Sequence, residues 1–540
     1  MTKSPILTNF IGELNARYGR SDMGVSQAEW ISKYTKLKDV PYSFQDHEFQ
    51  EAIINDTSQQ IVVKKCAQVG LSEVMIRDVL AFLARNQGLT AIMTQPTRKN
   101  ALDFSTTRVD DIIKESQLLY AMLDNKVDSK ELKRLGKSYL YIKGTVGTKA
   151  AISVPADMLI HDELDFSDLE IINKYSSRVQ HSKFKYFRKF STPTIPNFGI
   201  SKEFNVSSQN HYLMKCPHCG HWNYPDFFKD VIIDNPKYSD RELKTLTHDD
   251  LAYIQPTQVK TLCEHCRNPV EYHEYTKREW IPKFDGRAIA GYQVSPFNTP
   301  FQDPYNLLKM MNTYTHYADF VNFALGQDYI DANMIFDLAK YHDEDLLDPL
   351  NAYGLFIGVD FGKQCWLTVA QKQSNDEVLV YIAEEVPQER IVQRVKECIN
   401  LYHIAGMCVD ALPQTLLSRE IIALLPGNAY TVYYSDSQKE LYNIKGNELD
   451  VTVARTQLFD TVLGISKLVA SSNIDHKIYT THLQGMVKQR DPEDEHKARY
   501  VKVKDDHLLH SLGYAILAQE IFGDSTDHIA LPTIGSTHIE

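Results

Sequence analysis

Four cysteines fall in two pairs, Cys216-Pro-His-Cys219 and Cys263-Glu-His-Cys266. Two knuckles of two thiolates each can close a tetrahedron around one zinc ion, as in a zinc ribbon. Four protein ligands leave no open coordination position, so the expected zinc is structural. His218, His221 and His265 are spare donors, and thiolate-only ligation is the simpler choice. The alternative is four unmetallated core cysteines. Cys66, Cys365, Cys398 and Cys408 are scattered and read as small core residues.

Residues 65–72, Lys-Cys-Ala-Gln-Val-Gly-Leu-Ser, lie between an expected strand (Ile61-Val62-Val63) and an expected helix (Ser72 to about Arg85). A phosphate cradle needs backbone N–H groups at a helix start, a cation and a magnesium-binding hydroxyl. Gly70 with the helix start supplies the first, and Ser72 supplies the hydroxyl. The cation is displaced: the pattern GxxxxGK[ST] would put Lys at 71, where Leu71 stands, and Lys65 sits at the opposite mouth of the loop. A strand–Gly–helix turn with a stray lysine is the plain alternative. A second strand, Thr90 to Met93, ends in Gln95-Pro96-Thr97, and a third, Met158-Leu159-Ile160, ends in His161-Asp162-Glu163. An apolar strand ending in Asp-Glu has the form of a Walker B element, in which Asp162 holds magnesium and Glu163 orients the attacking water. The competing reading is two acids that cap a loop. Ser191-Thr192-Pro193-Thr194 follows a further strand and resembles the coupling motif of translocating ATPases; the order of the four elements argues against chance.

Asp360 ends an apolar strand as Val-Asp-Phe-Gly, Asp410 ends another as Met-Cys-Val-Asp, and Asp505-Asp506 precedes a helical stretch from His507 to Ala518. Each alone is an ordinary cap or turn residue. Together, two strand-end carboxylates and one at a helix start suit an RNase H-like nuclease holding two divalent ions about 4 Å apart. Carboxylates packed so closely repel one another unless cations sit between them.

The elements that must position these groups form an α/β chain. Strands alternating with helices imply a parallel sheet with ligand groups at the strand C-terminal ends. The texture changes to aromatics, histidines and the cysteine pairs over about 205–285, and a second α/β pattern begins at 354. The expected fold is therefore an N-terminal RecA/P-loop-type ATPase with an inserted zinc-ribbon module, then a C-terminal RNase H-like domain. The expected boundaries are an arm at 1–45, the ATPase at 46–204 with part of 285–335, the zinc module at 205–284, a linker at 336–353, the nuclease at 354–522 and a mobile tail at 523–540. Length of 540 residues is ample for several cores. A net charge of −12 argues against a wholesale polybasic nucleic-acid binder, yet leaves room for a local basic groove. Lys174 to Phe190 carries six Lys/Arg and no acid, and Lys488 to Lys504 carries six basic residues mixed with Asp491, Glu493, Asp494 and Glu495. Either stretch can track a phosphate backbone or be a solvated, salt-bridged surface. No window nears the roughly 20 apolar residues of a membrane span. The N-terminal apolar residues, broken by Asn9 and Glu13, are not expected to form a signal peptide, so cytoplasm is the default.

The combination of KCAQVGLS (65–72), GTKAAISVPADMLIHDELDF (147–166), STPT (191–194), the CPHC and CEHC pairs, IGVDFG (357–362) and DDHLLHSLGYA (505–515) resembles the tailed-phage terminase large subunits of the lambda-like GpA family. The resemblance spans about residues 25–520. It implies ATP-driven pumping of double-stranded DNA into a procapsid and metal-dependent cutting of concatemers, in the host cytoplasm. It assigns Lys65 and Ser72 to phosphate and magnesium, Asp162 to the same metal, Glu163 to catalysis and Thr192 to coupling. Asp360, Asp410 and Asp506 would hold two Mg2+ or Mn2+ ions, Asp506 being preferred over Asp505 by the family pattern; Lys64 stays open beside Lys65. Implied partners are DNA, a small terminase subunit (through the N-terminal arm), a portal and procapsid (through the tail), and further copies in a ring, with a monomer in solution as the alternative. A trans-acting arginine is not placed, Arg98 and Arg108 being guesses. Two rivals remain: a repair or restriction helicase–nuclease, which lacks its second set of helicase motifs here, and a non-catalytic DNA scaffold with a zinc ribbon.

Overall fold

The computed structural model describes residues 24–145, 154–344, 347–435, 438–444, 449–490 and 498–523. Most of the expected N-terminal arm, residues 147–153 of the acidic-strand motif, the acids at 491–495 and the tail from 524 onward lie outside the described residues. The chain divides into two units, Met1–Tyr329 and Ile330–Glu540.

The first unit is built on a ten-stranded sheet. Seven strands run parallel, in the order Asn210–Lys215, Ile289–Val294, Gln60–Lys65, Tyr186–Ser191, Met158–Asp162, Thr90–Gln95 and Ser138–Gly144. Antiparallel strands finish both edges: Leu132–Leu135 on one side, Trp222–Asn223 and Arg278–Pro282 on the other. The central strands are apolar on both faces because helices cover both sides, as a parallel sheet requires. Leu71–Arg85 is one such helix, and its Val74, Ile76, Val79, Leu80 and Leu83 are fully buried. The Lys65 strand and the Asp162 strand are not neighbours, since Tyr186–Ser191 runs between them. The end of that middle strand, Ser191-Thr192, is thereby fixed between the phosphate loop and the acidic loop. Ile289–Val294 pairs directly with the Lys65 strand although more than 220 residues separate them in sequence, closing the sheet around the insertion.

That insertion has a core of its own, in which Phe227, Val231, Ile233, Tyr238, Leu251 and Ile254 pack with Cys216 and Cys263. The same cluster takes in Leu307 and Leu308 of the helix Pro304–Thr313 and Phe320, so the module is seated on the chain that follows it.

The second unit carries a nine-stranded sheet. Its centre is Tyr353–Phe361, antiparallel to Cys365–Lys372, which is antiparallel to Glu377–Val386; on its other side His403–Asp410 and Ala429–Tyr434 follow in parallel. Numbered along the chain these five stand 3-2-1-4-5, the RNase H-like order. Asp450–Val453 extends the sheet in parallel beyond Ala429–Tyr434, and Lys467–Ser471 and Tyr341–Glu344 extend the other edge. The segment expected as a linker thus contributes a strand to this sheet. The helix His507–Phe522, buried nearly all round, crosses the central strands. The approach is so close that a Cβ built on Gly358 would lie 1.8 Å from the Ser511 carbonyl oxygen, so only glycine fits there.

Candidate active sites

In the first unit the phosphate loop is shaped by its backbone. Gln68 and Gly70 both adopt positive φ, +60° and +72°, which turns successive N–H groups toward a common concavity. Gly70 is also the N-cap of Leu71–Arg85 and offers no side-chain acceptor, leaving the helix N-terminus available to an anion. The loop is held from outside by Gln50, fully buried, whose amide donates to the Val69 carbonyl at 2.8 Å and accepts from the Tyr42 hydroxyl at 3.1 Å. No motif in the sequence marks Gln50.

Strand alternation puts the two lysines on opposite faces. Lys65 Nζ lies 3.0 Å from Glu163 Oε1, with its side chain almost wholly buried. Lys64, on the opposite face, is ion-paired with Asp328. Burial alone would depress the Lys65 ammonium, but Glu163 and Asp162 outweigh it and hold it above the ordinary lysine range. Burial, then the Glu163 charge, raises the Asp162 carboxyl against the opposing pull of Lys65, Gln95 and Ser72. Asp162 accepts a hydrogen bond from Gln95 at 3.3 Å, with the Ser72 side chain beside it. Hydroxyl, carboxylate and ammonium therefore converge, and the donor set fits a nucleotide phosphate with magnesium: an oxygen pair for the metal and N–H groups plus a cation for the anion.

Glu163 itself sits at φ +51°, a left-handed conformation that is strained for glutamate and turns its carboxylate out of the strand direction. The next turn is anchored by Asp165, fully buried. It accepts from the Thr194 N–H and hydroxyl, both at 2.8 Å, and from the Ile200 N–H at 2.6 Å. Asp165 ties the acidic loop to the STPT segment, and sequence reasoning missed it. Thr192 is 2% exposed, and its hydroxyl has no hydrogen-bond partner among the described residues. Arg98 is occupied by Glu131 at 2.7 Å, and Arg108 rests over the Phe104 ring.

The basic stretch 174–190 divides. Arg188 is buried on the carbonyls of Ser58, Gln59 and Phe187, and Lys189 pairs with Glu203. Lys174, Lys183 and Lys185 are exposed, and the last two lie just before the N-terminal end of Tyr186–Ser191, away from the sheet edge that carries Lys65 and Asp162.

In the inserted module the four cysteine sulfurs lie within 4.8 Å of one another. Zn–S bonds of about 2.3 Å imply a tetrahedral edge of about 3.8 Å. The Cys216–Cys266 and Cys219–Cys263 separations are 3.9 and 3.7 Å. Both knuckles close alike: Gly220 and Arg267, each four residues after the first cysteine, take positive φ and donate their N–H to that cysteine's carbonyl at 3.0 Å. His221 is engaged with Glu264 and stacks on His265, outside the sulfur cluster. The set fits a closed, structural zinc.

In the second unit Asp360 and Asp410 end adjacent parallel strands, and Asp506 is the N-cap of His507–Phe522. Asp506 is 3% exposed and Asp505 exposed. Burial and then the neighbouring Asp360 charge push the Asp410 carboxyl up to about 7, a repulsion that a bound cation would relieve. Asp506 goes the other way despite its burial, held down to about 2 by His510 and Lys502. Two histidines on the last helix stand among the acids. His507 Nδ1 is 2.8 Å from Asp360, and His510 lies 3.4 Å from Asp506 and 4.0 Å from Asp360. Tyr434 Oη reaches His510 Nδ1 at 3.0 Å, and Lys502 Nζ reaches Asp506 at 2.6 Å. The acids fit a divalent-cation site, although among the described residues only the cysteines converge as tightly as a single-ion cluster. The spacing Asp-His-x-x-His was a readable signal for both histidines and was passed over. Lys502 ends the hairpin Met486–Arg490/Ala498–Lys502, whose Lys488 pairs with Asp460. Its basic residues are thus partly salt-bridged, as one of the two expectations held.

A family model described as "Phage terminase large subunit gpA, ATPase domain" matches residues 35–281. No curated protein matches the chain. Among solved structures, the HK97 bacteriophage large terminase aligns over 92% of this chain and 99% of its own, at 10% identity and a TM-score of 0.53, and so shares the fold. The large terminase of a thermophilic bacteriophage in complex with ATP-gamma-S aligns over 85% and 93%, at 11% identity and a TM-score of 0.31. The magnesium-bound large terminase nuclease of thermophilic phage G20c aligns over 32% of this chain and 83% of its own, at 16% identity and a TM-score of 0.22. No helix among the described residues is long and apolar enough to cross a membrane. Residues 35–281 thus match the gpA-type phage terminase ATPase-domain family, and the chain shares the fold of the HK97 large terminase.

Proposed function

We propose that this chain couples ATP hydrolysis to translocation of double-stranded DNA into a procapsid and cuts concatemeric DNA in its second unit. The observation that carries the motor reading is the meeting of Lys65, Ser72, Asp162 and Glu163 at one sheet edge. ATP phosphates would rest on the Gly70 loop and the helix start, with Lys65 drawn from Glu163 to the β/γ-phosphates. Magnesium, held through Ser72 and Asp162, would offset charge on the phosphate oxygens. Glu163, released from Lys65, then orients the attacking water. Thr192 stands between the two loops with a buried hydroxyl that has no partner among the described residues, and we assign it to sensing the loss of the γ-phosphate. Asp165 would carry that change to Thr194, which also accepts, through its carbonyl, the N–H of Tyr329 at the end of the first unit.

For cutting, two divalent ions between Asp360, Asp410 and Asp506 would supply the activated water and stabilise the leaving oxygen. The protein's own part is to hold these carboxylates on two strand ends and one helix start. His507 and His510 keep Asp360 and Asp506 oriented until the ions arrive. Double-stranded DNA, a small subunit, a portal and further copies in a ring are the partners that follow from this reading, in the host cytoplasm. The test is ATP hydrolysis with and without duplex DNA, beside plasmid nicking in Mn2+. Wild-type chain should show DNA-stimulated hydrolysis and nicking, and Asp360→Asn should lose nicking alone. Hydrolysis indifferent to DNA would remove the motor reading.

A further inference from the structure

We infer that Arg455 is a DNA-phosphate-binding residue of the nuclease centre, an inference that rests on the cutting activity proposed above. Four neighbouring parallel strands end at one edge of the second sheet: Tyr353–Phe361, His403–Asp410, Ala429–Tyr434 and Asp450–Val453. Their ends deliver Asp360, Asp410, Tyr434 and, two residues past Val453, Arg455. The Arg455 guanidinium lies 5.8 Å from the Tyr434 ring centre and 5.6 Å from that of Phe459. Both rings also pack against His510, at 5.8 and 4.9 Å, and His510 stands between Asp360 and Asp506. The cation is thus part of the wall of the acidic cluster.

Arg455 makes no ion pair of its own among the described residues. Nearby cations are matched: Arg419 with Asp450, Lys488 with Asp460, Lys502 with Asp506. The buried Arg455 Nε has no hydrogen-bond partner among the described residues. A half-buried guanidinium left without acceptors is unfavourable unless something supplies them in the working state. Two flanking rings fix its plane, which is how an arginine is prepared for fork-like recognition of a phosphate. Arg455 also opens the helix Arg455–Leu463, whose N-cap Ala454 provides no side-chain acceptor, so backbone N–H groups face the same edge. Arg455 follows the third strand over from the Asp360 strand, about 14 Å at a spacing of about 4.8 Å per strand. It therefore takes a phosphate flanking the cut rather than the one that is cleaved. Stacking on Tyr434 and Phe459 for packing alone is the competing account.

The test uses the full chain. Binding of a labelled duplex is measured by anisotropy in EDTA over a salt series, and nicking kinetics are measured in Mn2+. Arg455→Gln should weaken binding about five- to tenfold, evenly across sequences, and lower the salt-dependence slope by about 0.9. It should raise KM for nicking while kcat and the Mn2+ midpoint stay put. Arg455→Lys should keep the slope, and it decides the matter if the Gln variant fails to fold. An unchanged slope in Arg455→Gln, or equal losses of slope in the Gln and Lys variants, overturns the proposal. Asp360→Asn separates the two claims: it should abolish nicking yet bind DNA normally. Nicking by that variant would sink the assignment of cutting to the Asp360 cluster and leave the salt slope to judge Arg455 as a DNA contact.

Discussion

Gly358→Ala is the substitution whose consequence the structure fixes most tightly. The new Cβ would stand 1.8 Å from the Ser511 carbonyl oxygen and 2.6 Å from the Ala515 nitrogen, both backbone atoms of His507–Phe522. Ordinary contact needs about 3.4 Å, so the helix must withdraw by roughly 1.5 Å, since backbone cannot rotate aside as a side chain can. Overpacking of this kind costs about 1–3 kcal/mol. The larger effect is geometric. Asp506 begins this helix and Asp360 lies two residues beyond Gly358, so the withdrawal changes the separation of two proposed metal ligands by more than about 1 Å, and misplacement of about 1 Å can lower a rate about 10²-fold. Plasmid nicking in Mn2+ should therefore fall about a hundredfold while DNA-stimulated ATP hydrolysis, housed in the first unit, stays within about twofold. Gly427→Ala, whose Cβ would meet nothing within 4 Å, serves as the control for mere loss of a glycine, though its φ of +86° adds some strain. Full nicking by Gly358→Ala, with an unchanged thermal midpoint, would refute the argument that this helix positions the acids.

Further outcomes follow from single observations. The purified chain should hold about one zinc per molecule, and Cys263→Ser should lose it and expose the module core to protease; metal-free wild type with undiminished protection would contradict the zinc reading. Lys65→Met should cut ATP hydrolysis about 10²–10³-fold, whereas Lys64→Met should spare kcat and lower stability by stranding Asp328; the reverse ranking would exchange the two lysines. Burial, reinforced by Lys189, lowers the His161 imidazole to about 3, so it folds in neutral while the unfolded chain titrates at its ordinary value near 6.5. The unfolded state then binds more protons, and stability falls as pH drops from about 6.5 toward 3, by up to about 1.4 kcal/mol per unit. His161→Gln should flatten that acid limb in a denaturation series, and an unaltered limb would rule this residue out as its cause.

The element pattern of the first unit was legible because it is local. An apolar β-branched run, a glycine and an amphipathic stretch are adjacent in sequence, and the strands at 60–65, 90–95 and 158–162 form where periodicity places them. The cysteine pairs were equally legible, since a knuckle needs only four consecutive residues. What stayed hidden is long-range. Ile289–Val294 joins the Lys65 strand by tertiary pairing, and nothing in its own residues names that partner. Which of Lys64 and Lys65 faces the acidic loop is visible only once the strand's neighbours are known. Asp165 and Gln50 act through buried hydrogen bonds to backbone, and such bonds leave no mark in composition. Arg455 was overlooked for the opposite reason: an arginine opening a short helix is ordinary until its neighbours prove to be rings and not carboxylates.

Net charge says little about local surfaces, because most basic residues near the two sites are already engaged. Lys488 and Lys502 are matched by Asp460 and Asp506, Arg188 is spent on backbone carbonyls, and the exposed lysines at 174, 183 and 185 are few.

The central claim is that Glu163 activates water for ATP hydrolysis at a site completed by Lys65, Ser72 and Asp162. Glu163→Gln keeps the size of the side chain and removes its basicity. Turnover of ATP should then fall by about 10²-fold or more in the presence of duplex DNA while nucleotide affinity, read by a fluorescent ATP analogue, holds or improves. Hydrolysis that persists at the wild-type, DNA-stimulated rate in Glu163→Gln would contradict the account at its root.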